Sequence, residues 1–288
     1  MKTACVIGAG TMGAGIAQVF AQAGYRVVLN DVDDAALARG VARIESNLDG
    51  AVARGKLDAK GKEETLARIE RATNLAAAAE SAAVVVEAVF EDLSVKKDLF
   101  KRLDGSRAEI LATNTSSLPV TEIAQATARP ERVLGLHFFN PPHIQKLVEV
   151  VKGDRTSQAT VEKALALVGE LQREAVLVRD FPGFATTRLG LAIGLEAIRM
   201  VEQGVASAED IDRAMELGYR YPMGPLKTGD LVGLDVRLAI AEHLHKELGE
   251  QFRVPPLLRR MVRAGKHGKK TGEGFYRWDA KGECLGPA

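Results

Sequence analysis

The sequence predicts an α/β fold, in which a doubly wound parallel sheet precedes an all-α C-terminal domain. Short β-rich apolar runs alternate with helical patterns up to about residue 180, as in sheets covered by helices on both faces. The stretch 33–69 has helical spacing with a break at 55–58, which predicts a helical hairpin inserted after the second strand. Pro182 and Gly183 mark a boundary, after which the strand patterns stop. We therefore predict two domains, residues 1–183 and 184–288.

The individual elements follow from hydrophobic periodicity. Beyond the boundary, helical spacing predicts helices at 185–204, after Ser207, at 231–248 and at 256–264. The first is apolar nearly all round, so it needs cover from its own domain or from another chain. Ser207 and Asp210 form a capping box for the second, which Gly218 ends. The predicted strands are 4–7, 27–30, a weak one near 72–75, 83–88, 110–113, 133–137, 147–151 and 175–178.

The composition is that of an ordinary globular protein. Hydrophobic residues make up 46% of the 288 residues, which suffices for a core, and the formal net charge is +1. So small a charge favours neither nucleic acid nor an acidic membrane surface as the partner. The two cysteines suggest neither a disulfide framework nor a metal site. With no leader pattern and no apolar run near the roughly 18 residues that span a membrane, we expect a cytoplasmic protein.

The most informative motif is a glycine-rich turn between the first predicted strand and a helix. In such a turn the first glycine allows a tight bend, the second lets the backbone approach a pyrophosphate, and the third lets helix and strand pack closely. The helix N–H groups and positive dipole end then face the anion. This pattern predicts the dinucleotide site of a Rossmann-type domain. The turn consists of Gly8, Ala9, Gly10, Thr11, Met12 and Gly13.

Asp31 ends the second predicted strand and indicates which dinucleotide is bound. A carboxylate roughly 20 residues after the glycine motif accepts hydrogen bonds from the adenosine ribose hydroxyls. The same charge repels the 2′-phosphate of NADP, and Asp33 and Asp34 add to it before the first cation, Arg39. The sequence therefore predicts NAD.

Two ionisable residues interrupt apolar strands. His137 lies in the run 134–139 and Glu149 in the run 147–151. A carboxylate in a buried strand is costly unless it is paired, and the histidine on the preceding strand is the nearest partner in sequence. A buried His–Glu pair holds one imidazole tautomer and suits a general base. The alternatives are that each residue faces solvent from an edge strand, or that the histidine is simply satisfied in the core.

Polar residues follow the predicted strand 110–113, at the edge of a parallel sheet where ligands bind. Residues 114–117 read Asn-Thr-Ser-Ser, and a hydroxyl at Ser116 suits a substrate alcohol. The alternative is that a serine caps the helix that Pro119 opens. Asn140 follows His137 and either contacts the nicotinamide or caps a turn.

Six longer motifs extend over essentially the whole chain. They are NTSSL at 114–118, GLHFFNP at 135–141, KLVEVV at 146–151, PGF at 182–184, YPMGPL at 221–226 and KTGEGFY at 270–276. In this order and spacing they resemble the L-3-hydroxyacyl-CoA dehydrogenase family, with the bacterial 3-hydroxybutyryl-CoA dehydrogenases the most similar branch in length. The resemblance favours the paired His–Glu interpretation over its alternatives.

The resemblance implies oxidation of a 3-hydroxyacyl-CoA to a 3-ketoacyl-CoA, with NAD taking the hydride and no metal involved. His137 matches the family's base, Glu149 the carboxylate that orients it, and Ser116 the serine that positions substrate and nicotinamide. The residues that match cofactor contacts are Glu91, Lys96, Asn140 and, less closely, Lys270.

The substrate side departs from the family pattern. Thr187 stands where the family has an asparagine thought to bind the substrate carbonyl, so one shorter hydroxyl replaces an amide. Either Thr187 donates through that hydroxyl or a water, or the pocket accepts a different acyl group. In the hairpin, Arg54 and Lys56 match the region whose lysines hold CoA phosphates, and Gly50 stands in place of one of them. The alternative is that these cations are only solvated.

We therefore expect an NAD-dependent dehydrogenase of short-chain (S)-3-hydroxyacyl-CoA. The alternatives are an NAD enzyme for a 3-hydroxy acid without CoA and a dinucleotide-binding protein without turnover. The apolar helix at 185–204, together with the resemblance, predicts a homodimer formed through the C-terminal domain, which we also expect to bind the acyl-CoA.

Overall fold

The computed structural model describes all 288 residues and contains an eight-stranded sheet. Its strands are β1 (Thr3–Ile7), β2 (Arg26–Asn30), β3 (Ile69–Ala72), β4 (Val84–Glu87), β5 (Ile110–Thr113), β6 (Val133–Phe138), β7 (Leu147–Lys152) and β8 (Glu174–Arg179). The order across the sheet is β3-β2-β1-β4-β5-β6-β7-β8. Every neighbouring pair is parallel except β6 and β7, which are antiparallel. The doubly wound α/β fold predicted from the sequence is thus confirmed.

Helices cover both faces of this sheet. They are α1 (Thr11–Gln22), α2 (Asp34–Ala53), α3 (Ala59–Ala67), α4 (Leu75–Glu80), α5 (Leu93–Leu103), α6 (Val120–Ala124) and α7 (Gln158–Glu170). Successive strand residues point to opposite faces. Val6 therefore joins a core with α1, α2 and α7, whereas Cys5 and Ile7 join a second core with α4, α5 and α6.

The inserted hairpin is present and consists of α2 and α3. The carboxylate of Asp33 accepts from backbone N–H groups at the start of α2, and that of Asp58 does so at the start of α3. Lys62 on α3 lies 2.6 Å from Asp49 and 3.3 Å from Glu45, both on α2. These pairs join the two helices at their exposed surface.

The third predicted strand, near 72–75, is misplaced. The observed strand β3 ends at Ala72, and α4 begins at Leu75. Asn74 explains the difference, because its side-chain oxygen accepts the N–H of Ala77 at 3.1 Å and so starts a helix.

Contacts divide the chain into two units, Met1–Phe181 and Pro182–Ala288. The second unit is mainly helical, and residues such as Leu195, Leu226 and Leu244 form its own core. Its helices are α8 (Thr186–Glu202), α9 (Ala208–Tyr219), α10 (Pro225–Val232), α11 (Leu234–Leu248) and α12 (Pro256–Arg263).

Two helix boundaries in this unit differ from the prediction. Gly218 does not end α9, which continues to Tyr219 and is closed by Arg220 in a left-handed conformation with φ +58°. The predicted helix 231–248 is two helices, because Gly233 adopts φ +104° between α10 and α11.

The second unit is also not helical throughout. Two short strands, β9 (Tyr276–Trp278) and β10 (Cys284–Pro287), pair antiparallel near its C-terminus. The buried carboxylate of Asp230 holds the first of them, since it accepts the N–H groups of Phe275 and Tyr276 and the indole N–H of Trp278 at 2.9–3.0 Å. Burial raises the pKa of the Asp230 carboxyl, and these donors oppose that shift.

No helix combines the length and the apolar composition needed to cross a bilayer. No group of three or more His, Cys, Asp or Glu side chains converges as a metal site would require. Both cysteines are free, and burial raises the pKa of the Cys5 thiol to about 12.

Candidate active site

The glycine-rich turn joins β1 to α1, and close contacts require two of its glycines. Gly8 has φ +98°, and a Cβ there would lie 2.6 Å from the carbonyl oxygen of Ala88. A Cβ on Gly13 would lie 1.7 Å from the carbonyl oxygen of Gly8. A Cβ on Gly10 would meet nothing within 4 Å, so this residue faces open space. The backbone at Gly10 is therefore accessible to a pyrophosphate, as the motif predicts.

Asp31 holds this turn in place. Its Oδ2 accepts the N–H of Ala9 at 2.7 Å, and its Oδ1 accepts the N–H of Asp33 at 3.3 Å. Thr11 is exposed at the first position of α1, and Met12 is half-buried against the core. The carboxylate thus lies at the rim of the turn, where a ribose would follow the pyrophosphate.

A groove of about 550 Å³ extends from the turn and is lined by Gly10 and Asp31 at one end. Its other walls include Leu99 and the largely exposed side chains of Val32 and Phe90. Asp98 and Arg102 line the groove as well, so apolar side chains that suit an adenine lie beside carboxylates that suit its ribose. The residues present therefore fit the adenosine half of NAD.

Asp31 gives a testable preference between cofactors. Asp31→Asn keeps an acceptor for Ala9 but removes the charge that repels a 2′-phosphate, so we expect the kcat/KM ratio of NADPH to NADH to rise about tenfold or more. Initial rates at equal concentrations of the two cofactors measure this ratio. Asp154→Asn, at an exposed turn, is the control. A wild-type protein that used both cofactors equally would contradict this role of Asp31.

His137 and Glu149 lie directly opposite each other on β6 and β7. Nδ1 of the imidazole is 2.8 Å from Oε2 of the carboxylate. Glu149 is 0% exposed and His137 7%, so neither faces solvent from an edge strand. The carboxylate accepts the Nδ1 proton, which leaves the lone pair of the neutral ring on Nε2. The pairing of His137 with Glu149 expected from the sequence is present, and Nε2 of the imidazole can accept a proton.

The polar turn after β5 is tied to the end of β6 and to Glu91. The side-chain oxygen of Asn114 accepts the N–H of Phe138, next to His137, at 2.8 Å. Oε1 of Glu91 accepts the Thr115 hydroxyl at 2.5 Å and the Ser116 N–H at 3.0 Å. The Ser116 hydroxyl lies 3.5 Å from the same oxygen. These bonds fix Ser116 close to the strand that carries the imidazole.

Helix capping does not explain the serines of this turn. Helix α6 begins after Pro119 without a side-chain cap. The Thr115 hydroxyl oxygen, in contrast, accepts the N–H groups of Ser117 and Leu118 at 3.3 and 2.9 Å. The structure therefore excludes the capping alternative for Ser116.

Two family profiles together match almost the whole chain. The NAD-binding domain of 3-hydroxyacyl-CoA dehydrogenase matches residues 3–181, and the C-terminal domain of the same enzyme matches residues 183–278. The chain belongs to the 3-hydroxyacyl-CoA dehydrogenase family. This membership confirms the resemblance, the enzyme class and the NAD cofactor predicted from the sequence.

Individual relatives match this chain over most of their length. A probable 3-hydroxybutyryl-CoA dehydrogenase from Bacillus subtilis is 45% identical over 98% of this chain and 99% of its own. The human mitochondrial hydroxyacyl-coenzyme A dehydrogenase is 46% identical over 96% of this chain and 91% of its own. The crystal structure of an (S)-3-hydroxybutyryl-CoA dehydrogenase from Ralstonia eutropha superimposes with a TM-score of 0.92 at 39% identity, covering 97% and 99% of the two chains.

Two further residues predicted to contact the cofactor lie in the first unit. Lys96 on α5 is only 1% exposed, and its ammonium contacts the carboxylates of Glu87 and Glu91. The cofactor contact predicted for Lys96 stays a prediction. Asn140 is exposed just beyond β6, two residues after Phe138.

The second unit contains the predicted site residues Thr187 and Lys270. Thr187 is half-buried at the second position of α8. Lys270 is exposed, and its ammonium lies 2.5 Å from Oδ2 of Asp235.

Arg54 and Lys56 are exposed at the end of α2 in the dehydrogenase's hairpin. The guanidinium of Arg54 lies over Gly50, where a Cβ would be 3.1 Å from Nη1. Arg54 also affects the pKa of His143. Burial is the main cause that lowers this pKa, and the cations of Arg173 and Arg54 lower it further. Arg54 and Arg173 thus both lie near the imidazole of His143.

Sequence reasoning missed Glu87, the last residue of β4, which is fully buried. Its Oε2 accepts the hydroxyl of Thr113 at 2.7 Å, and its Oε1 lies 2.5 Å from the ammonium of Lys96. A signal was present, because a carboxylate directly after three valines resembles the pattern that pointed to Glu149.

Proposed function

We propose that this dehydrogenase oxidises (S)-3-hydroxyacyl-CoA of short chain length, such as 3-hydroxybutyryl-CoA, to the 3-ketoacyl-CoA. The observation that carries the proposal is the buried His137–Glu149 pair, linked through Asn114 to the turn that holds Ser116. Relatives named 3-hydroxybutyryl-CoA dehydrogenase support the short acyl chain.

His137 acts as the base in this proposal. Its Nε2 takes the proton of the 3-hydroxyl while the hydrogen on carbon 3 leaves as hydride, so that the C–O bond becomes a carbonyl. NAD, when bound, supplies the hydride acceptor. Glu149 keeps the imidazole in the required tautomer and stabilises the imidazolium that forms. In the reverse direction the imidazolium returns the proton to the alkoxide.

The remaining polar residues position the reactants. We assign the substrate hydroxyl to Ser116, whose place is set by Glu91. Asn140 is assigned to the nicotinamide and Lys270 to the cofactor, on the motifs that match the family. The backbone of the turn from Gly8 to Gly13 receives the pyrophosphate.

For the substrate we assign the acyl carbonyl to Thr187 and the CoA phosphates to Arg54 and Lys56. Thr187 offers one hydroxyl donor at the start of α8. The exposure of Arg54 and Lys56 supports the second assignment, since phosphates bind to such accessible cations.

Replacing Thr187 tests the first of these assignments. Thr187→Val removes the donor with little change in shape, so we expect kcat/KM for acetoacetyl-CoA to fall about tenfold, the value of one hydrogen bond. Thr187→Ser keeps the hydroxyl and should remain near the wild-type value. Unchanged kinetics of the valine variant would remove Thr187 from the site.

We further propose a homodimer formed through the C-terminal unit. Large apolar side chains are exposed there, among them Leu189, Leu217 and Tyr219. Exposed apolar surface of this kind marks a protein interface. Light scattering at micromolar concentration should give the mass of two chains, and the mass of one chain would contradict the proposal.

A cytoplasmic location stays a prediction from the sequence.

The function itself is tested by NADH consumption with acetoacetyl-CoA and with longer 3-ketoacyl-CoA substrates. We expect the highest kcat/KM for acetoacetyl-CoA. Faster oxidation of free 3-hydroxy acids with NAD would favour the enzyme class that acts without CoA. NADH binding without turnover of any of these substrates would leave only a nucleotide-binding protein.

A further inference from the structure

We propose that Glu87 is a positioning residue that holds the nucleotide turn and the Ser116 turn in a fixed relation. The inference rests on the proposed function, because it concerns the geometry of the same site. Glu87 is 0% exposed and its partner Lys96 is 1% exposed. A buried ion pair adds little stability over an apolar pair of similar volume, so stability alone does not account for these charges.

The first link runs from Glu87 to the wall of the glycine turn. Oε1 of Glu87 accepts the N–H of Val89 at 2.7 Å. The backbone at Ala88 and Val89 is the surface against which Gly8 packs, since a Cβ on Gly8 would lie 2.6 Å from the Ala88 oxygen and 3.1 Å from the Val89 nitrogen. A shift of this backbone would therefore move the nucleotide turn.

The second link runs to the turn after β5. Oε2 of Glu87 accepts the hydroxyl proton of Thr113 at 2.7 Å. With its only proton given to Glu87, the Thr113 oxygen is oriented to accept the N–H of Thr115, which lies 3.3 Å away. The charge on Glu87 thus determines the direction of a hydrogen bond at the base of the turn that carries Ser116.

The third link passes through Lys96. Its ammonium lies 2.5 Å from Glu87 Oε1 and 3.2 Å from Glu91 Oε2. The other oxygen of Glu91 accepts the Thr115 hydroxyl and the Ser116 N–H. Lys96 therefore bridges the two carboxylates. Glu87 and Glu91 then hold the same turn from two sides.

Variants of Thr113 and Glu87 separate positioning from a purely structural role. Thr113→Val removes the hydroxyl but leaves the Glu87–Lys96 pair intact, whereas Thr113→Ser restores the hydroxyl. We expect Thr113→Val and Glu87→Gln to lower kcat/KM for acetoacetyl-CoA by about 10- to 100-fold, as displacement of reacting groups does. Thr113→Ser should stay within a few fold of the wild type. Glu87→Gln should in addition weaken NADH binding, measured by fluorescence titration.

Glu109→Gln is the matched control, because Glu109 pairs with Lys163 at 2.6 Å on the exposed surface. It should change neither kcat/KM nor NADH affinity. If the role is only structural, Thr113→Val and Glu87→Gln should lower the melting temperature but leave kcat/KM and NADH affinity of the folded protein unchanged. That result would overturn the inference. A wild-type protein without activity on 3-ketoacyl-CoA would refute the proposed function. The measurement of NADH affinity needs no acyl substrate, so weaker NADH binding by Glu87→Gln would support this inference even then.

Discussion

His137→Gln should lower kcat for the reduction of acetoacetyl-CoA by about 10²–10⁴-fold, the usual contribution of a positioned acid or base. Glutamine can still hydrogen-bond to Glu149, so the buried carboxylate keeps a partner and the strands stay paired. The amide cannot donate or accept a proton at neutral pH, however, and the transfer falls to water. NADH affinity should change little, because the glycine turn is unaffected.

His245→Gln provides a matched control for this prediction. His245 also pairs with a carboxylate, that of Glu250 at 3.2 Å, but the imidazole is 36% exposed at the surface of the second unit. Its replacement should leave kcat unchanged. A His137→Gln enzyme with wild-type kcat would show that another group moves the proton.

Gly13→Ala should abolish NADH binding or prevent folding of the first unit. The new methyl group would lie 1.7 Å from the carbonyl oxygen of Gly8, a backbone atom that cannot turn aside. Relief of the clash requires α1 to move away from β1, which opens the site for the pyrophosphate. Thermal unfolding together with fluorescence titration of NADH measures both outcomes.

Two other glycines keep this prediction testable if Gly13→Ala does not fold. Gly10→Ala meets no atom within 4 Å and has an ordinary φ of −66°, so it should fold normally but weaken NADH binding, since its methyl group occupies the open side of the turn. Gly169→Ala, exposed on α7 and without a close neighbour, should bind NADH normally and gain up to about 1 kcal/mol in stability. Normal NADH affinity in Gly13→Ala would place the cofactor elsewhere.

Site residues could be predicted from the sequence when they belong to a recognisable local pattern. The glycine turn is read from adjacent residues, and His137 and Glu149 stand out because each interrupts an apolar strand. Glu87 carries the same kind of signal, but it lies at a strand end, where polar residues are common. Lys96 carries a similar signal, because it precedes Leu99, Phe100 and Leu103 by three, four and seven residues and so shares the buried face of α5 with them.

Short elements in the second unit escaped prediction for a related reason. Strand β9 has only three residues, too few for an alternating pattern, and its extended shape depends on the distant carboxylate of Asp230. Gly218 is an ordinary end signal, yet α9 continues past it because Arg220 adopts the left-handed conformation instead. In β9 a tertiary contact thus outweighs the local preference.

The single antiparallel pair of the sheet has a consequence for how this family can vary in length. A parallel partner for β6 would need a crossover of a dozen or more residues, whereas the reversal into β7 takes only the segment 139–146. Added or lost residues in that segment would leave the register of β6 and β7 unchanged, but they would have to keep Asn140 in place. One inserted residue within β6 or β7 would instead turn either the imidazole or the carboxylate to the opposite face. The alignment of the two strands is therefore as necessary to the His137–Glu149 pair as the two side chains themselves.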